Sequence, residues 1–144
     1  MKIIKLLICF FVFMFFQLSN AEVKLPKKKV MFEAVVYHHG GPEKYELFEH
    51  GENGYLVFYE NNIKKYQKIY SFKLAQRFLK NRIIPVLTEV QKKKKTNNLA
   101  LCSVRVDSMW KTEKEYQSSS YCLGDESGNT LSPLLHQMHR LIKQ

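Results

Sequence analysis

The chain has 144 residues, 45% of them hydrophobic and 25% charged, with a formal net charge of +10 at neutral pH. That length is one domain's worth. With no internal repeat and only one long apolar run, it excludes a repeat array or a multi-span membrane protein. The excess of lysine implies attraction to polyanions, such as an acidic membrane surface, a glycan, nucleic acid or an acidic protein.

The apolar run comes first. Lys2 and Lys5 precede the unbroken segment Leu6 to Phe16, and Ser19 and Ala21 supply small residues at the spacing a signal peptidase reads. Eleven apolar residues are too few to span a bilayer, which takes about 20. Residues 1–21 therefore read as a secretory signal peptide cleaved near Ala21, with retention as an anchor as the competing reading. Cys9 lies inside the apolar run, the wrong place for a lipidated cysteine, and leaves with the leader. The mature chain is then secreted or periplasmic. Losing Lys2 and Lys5 lowers its net charge from +10 to +8.

Residues 22–29, with Lys27, Lys28 and Lys29, read as a basic arm, and residues 30–144 as one domain. Val30 to Tyr37 carries apolar residues on both faces, as a central strand does. His38 to Pro42 breaks it. Lys44 to His50 and Tyr55 to Glu60 form two more strands around Gly51-Glu52-Asn53-Gly54. Asn61-Asn62 is a tight turn into a fourth strand, Ile63 to Tyr70. Ser71 stands where a helix N-cap belongs. Leu74, Ala75, Phe78, Leu79 and Ile83 then recur at helical spacing, with Lys73, Arg77 and Lys80 on the opposite, solvent-facing side. Pro85 limits this helix, and Val86 to Gln91 is either a short second helix or an irregular segment.

Lys92, Lys93, Lys94 and Lys95 read as part of a solvated loop. Beyond it, Leu99 to Ser108 and Lys114 to Leu123 form a last hairpin. Cys102 and Cys122 are the two cysteines left after processing, and in an exported domain they read as a disulfide. If they face each other directly, Val104 lies opposite Ser120, Val106 opposite Ser118 and Ser108 opposite Tyr116. That register leaves Met109 and Trp110 in the loop at the tip. Ser132 and Pro133 then start a terminal helix whose stripe is Leu134, Leu135, Met138, Leu141 and Ile142. The expected fold class is α+β: an antiparallel sheet of about six strands (four-stranded meander, helix, hairpin), with a middle and a C-terminal helix on one face.

No catalytic, metal or cofactor motif stands out. His136 and His139 are three apart but sit beside Arg140 and Lys143, which disfavours a divalent ion. Ser118-Ser119-Ser120 lacks the flanking glycines of a nucleophile elbow. Binding residues are better candidates. Lys64, Tyr66, Lys68 and Tyr70 alternate on the fourth strand and are expected to share one face, a positively charged aromatic platform, against the favoured alternative that tyrosine is simply a good strand former with its ring partly buried. Trp110 at a hairpin tip is a second contact residue, against the alternative that it folds back onto the sheet. The function expected is a non-enzymatic binding or accessory module acting on a protein partner outside the cytoplasm. The alternative is electrostatic attachment to an anionic envelope surface or polymer through the lysine runs and the face bearing Lys73, Arg77 and Lys80. A small hydrolase is the weakest reading.

Overall fold

The computed structural model describes residues 27–93 and 102–144. The expected leader, its cleavage point, and Lys94 and Lys95 lie outside the described residues. Six strands form a single antiparallel sheet: β1 (Lys29–His38), β2 (Gly41–His50), β3 (Asn53–Glu60), β4 (Ile63–Ser71), β5 (Arg105–Lys111) and β6 (Tyr116–Cys122). Their spatial order is β4-β3-β2-β1-β5-β6, so β1 is central and β4 and β6 are the edges. After β4 comes a continuous helical stretch: α1 (Phe72–Phe78), a π turn (Leu79–Ile83) and α2 (Ile84–Lys93). A long helix, α3 (Glu126–Lys143), ends the chain. This is an α+β fold.

The meander forms where alternation and turn chemistry agree. Asn61 and Asn62 both take positive φ, 51° and 64°, the left-handed pair that a two-residue hairpin requires. The cross-strand pairs then sort residues onto two faces. Ala34 pairs with Tyr45 and with Ser108, Phe32 with Leu47 and Trp110, and Tyr45 with Phe58. These side chains line the face that the helices cover. On that face Phe32, Leu47, Leu56, Val106, Trp110 and Tyr121 pack with Ala75, Ile83, Leu87 and Val90 and with Leu131, Leu135, Met138 and Ile142.

Ser71 caps α1, its hydroxyl accepting from the Leu74 amide at 3.4 Å. Pro85 is the second residue of α2, so Val86 to Gln91 is helical. Proline lacks an amide and crowds the carbonyl four residues back. The π turn just before it, closed by the Ile84 amide on the Leu79 carbonyl, loosens the helix where that crowding falls.

Three expectations are corrected. The last hairpin has a different register: Asp107 pairs with Ser120, Ser108 with Ser119 and Trp110 with Gln117, turning at Thr112 to Glu115. The Cys102–Cys122 disulfide is present with a Cα–Cα distance of 5.6 Å, but Cys122 pairs across the ladder with Arg105. Cys102 precedes β5, so the bridge ties the entry of the hairpin to its exit. Trp110 is accordingly inside, 1% exposed, since its strand alternates Val106, Ser108 and Trp110 toward the helices. Finally, α3 begins at Glu126, not after Ser132. Asp125 is the N-cap, accepting from the Gly128 amide at 2.8 Å, and Pro133 sits within the helix.

Candidate functional site

The residues expected to bind do not gather in one place. Lys64 is separated from its neighbours by a bulge in β4. It pairs with Tyr59 while Tyr66 pairs with Phe58, adjacent positions on β3 that point to opposite faces. The four-residue platform is therefore corrected to three: Tyr66, Lys68 and Tyr70 share the helix-covered face. Tyr70 is partly buried against the core, and Lys143 from α3 lies 5.5 Å over the Tyr66 ring. Lys73, Arg77 and Lys80 are exposed along α1 and the π turn, as the helical spacing predicts. Lys92 and Lys93 form the end of α2 instead of a loop. Lys93 pairs with Glu89 at 2.7 Å and donates to Thr130 at 3.2 Å, tying α2 to α3.

The basic arm is also less free than its composition implies. On the sheet face opposite the helices, Lys28 reaches the Glu46 carboxylate at 2.7 Å and lies 4.4 Å over the Phe48 ring. Glu46 is 2% exposed there, held also by the Tyr59 hydroxyl at 3.0 Å and Lys44 at 3.9 Å. Burial, and then the hydrogen bond to Glu46, push the Tyr59 phenol up to about 12. A buried carboxylate needs such partners, and this one has them.

One concavity among the described residues was not foreseen in the sequence. A cleft of about 880 Å³ opens between the π turn and the tip of the β5–β6 hairpin. Its apolar lining comes from Met31, Leu79 and Ile84. Lys29, Lys80, Lys111 and Lys114 contribute positive charge, and Glu49, Glu113 and Glu115 negative charge. With Gln76, these residues come from β1, β2, α1, the π turn, α2 and the hairpin, so no short motif could announce them. Met31 is placed by a bulge in β1, where the pairing steps from Val30 to Phe32. Inside the cleft Lys29 and Glu49 are 2.5 Å apart, and Lys80 and Glu113 are 3.9 Å apart. The neighbouring Lys29 ammonium, and after it burial, hold Lys111 below the ordinary lysine value, with Glu49 opposing the shift.

The cleft lining contains no histidine, cysteine or serine. Among the described residues no group of three or more histidine, cysteine, aspartate or glutamate side chains is placed to hold a metal. Asp107 is drawn below the usual carboxylate range by Arg105, whose Nε lies at 2.8 Å, and receives a further hydrogen bond from Ser120. His136 is exposed, and His139 turns inward to Tyr45 and Phe58. No protein-family model and no curated protein matches the chain.

Proposed function

We propose that the protein is an exported, non-enzymatic binding module that acts on a protein partner, with the cleft beside the hairpin tip as its recognition element. The observation that carries this reading is the lining: apolar Met31, Leu79 and Ile84 bordered by lysines and glutamates of both signs. Glu49, Glu113 and Glu115 nearly balance the four lysines, so a polyanion gains little there, whereas a protein surface offers apolar contacts with mixed charges around them. Export is supported by the basic start and the apolar run of the first 21 residues. The disulfide is compatible with it. Among the described residues no helix is long and apolar enough to cross a membrane.

Site-directed photo-crosslinking tests the reading. A crosslinking residue at Gln76 or Lys114, both exposed on the rim, is expected to trap one defined protein from the cell envelope or medium. The same residue at His39, exposed in the β1–β2 turn and outside the lining, is expected to trap none. No adduct from the rim positions, or the same adducts from all three, sinks the proposal. Mass spectrometry of the purified product checks processing near Ala21.

A further inference from the structure

A second surface lies along the edge strand β4 and the start of α1, and none of its apolar side chains lines the cleft. Ile63 is 62% exposed and Ile69 56%, with Tyr66 and Leu74 nearly as open. These four make up most of the exposed large hydrophobic side chains of the described residues. The same stretch is basic throughout: between Glu60 and Glu89 the chain contains no acidic residue. Glu60 itself is held by Lys65 at 3.2 Å. Along β4, Ile63, Tyr66 and Lys68 point to the helix-covered face and Lys64 and Ile69 to the opposite one, so both flanks of the edge carry an apolar side chain and a lysine. Lys73 follows on α1, and Lys143 adds a charge from α3.

We propose that this edge is a docking surface for an anionic lipid bilayer. Charge complementarity selects the occupant, because lysines close to an anionic leaflet each contribute, and the contributions add. Exposed isoleucine, leucine and tyrosine beside those lysines enter the boundary between headgroups and acyl chains, where the lysine stems extend and tyrosine is favoured. A second copy of the chain would have to pair lysine-rich β4 with itself, setting like charges side by side. Edge lysines ordinarily prevent that. A soluble polyanion would use the lysines but gain nothing from Ile63 and Ile69.

The test is vesicle flotation with the full chain purified from its producing cells. Vesicles of mixed phosphatidylcholine and phosphatidylglycerol are compared with vesicles of phosphatidylcholine alone, which isolates the electrostatic part from any contribution of residues 1–21. Binding to the anionic vesicles is expected to exceed the neutral case and to fall steeply with salt. The triple variant Lys64→Gln, Lys65→Gln, Lys68→Gln is expected to lose about a hundredfold. The double variant Ile63→Ser, Ile69→Ser is expected to lose about tenfold. All five positions are exposed or half-exposed, and circular dichroism verifies that the variants fold. Equal partition onto both vesicle types overturns the proposal. So does full binding by the double isoleucine variant, which would leave a plain polyanion surface, and so does unchanged binding by the lysine variant.

Discussion

The Tyr45 hydroxyl on β2 lies 3.2 Å from His139 Nδ1 on α3, joining residues 94 positions apart in sequence. The His139 ring also stands edge-on to Phe58, with centroids 5.0 Å apart. One polar contact inside an aromatic cluster thus fixes how the terminal helix lies on the meander. Burial raises the Tyr45 phenol, so it stays protonated across the physiological range.

Stability should fall on acidification through this contact. Burial, and then Lys143, lower His139 below its ordinary value of 6.5, with His136 adding to the effect and Glu43 opposing it. The unfolded chain therefore takes up a proton on His139 before the folded one does. The contribution is complete above about pH 6.5 and is lost as pH drops through the folded value. Thermal midpoints measured from pH 7.5 to 5 should decline, and His139→Gln should flatten that decline. An identical slope in the variant would show that other groups govern it.

Trp110 supplies a direct optical check on the hairpin register. Being buried beside Phe32 in the sheet, it should emit at short wavelength and resist iodide quenching until the protein unfolds. Trp110→Ala should cost about 3–5 kcal/mol, the usual range for emptying a large core site. A native-state emission as red and as quenchable as in urea would return Trp110 to the tip.

The disulfide closes a loop holding the whole β5–β6 hairpin, with its cysteines 20 positions apart. Cys102→Ser combined with Cys122→Ser should lower unfolding free energy by about 3 kcal/mol on the chain-entropy account. Urea unfolding with and without reductant measures it. Alkylation of native protein should label neither thiol.

Gly54 lies under α1, where an added Cβ would overlap the Ala75 Cβ. Both atoms belong to rigid elements, so neither can move aside alone. Gly54→Ala should destabilise by about 1–3 kcal/mol, read as a lower urea midpoint at unchanged slope.

Residues 30–83 follow local rules closely and their elements are legible one by one, whereas Val86 to Gln91 stays undecided between helix and irregular segment until the structure shows it helical. Alternation and the Asn61-Asn62 turn specify the meander, and Ser71 marks the start of α1. The terminal helix is legible as an amphipathic stripe, but its start is not. Pro133 resembles a first-turn proline, yet α3 already runs for seven residues before it, capped by Asp125. The signal for that earlier start was present: Asp125, an N-cap residue, precedes Glu126 in the first turn.

The hairpin misreading has a different origin. Bonded cysteines need not oppose each other on the ladder, because a bridge requires only close α-carbons and suitable side-chain directions. The stronger signal was the alternation of Val106, Ser108 and Trp110, which turns the large ring to the core whatever the cysteines do. On β4 the reverse holds. Nothing local announces the bulge that separates Lys64 from Tyr66, because a bulge is a property of the pair of strands.

The amino-acid order alone determines the class of fold, the meander, the amphipathic helices and the cysteine pair, since each depends on periodicity or on turn and cap chemistry within a few residues. The tertiary structure alone decides the register of β5 on β6, the burial of Trp110 and the cleft between the π turn and the hairpin tip. Those features arise from contacts between side chains far apart along the chain, and which distant residues meet depends on how whole faces pack.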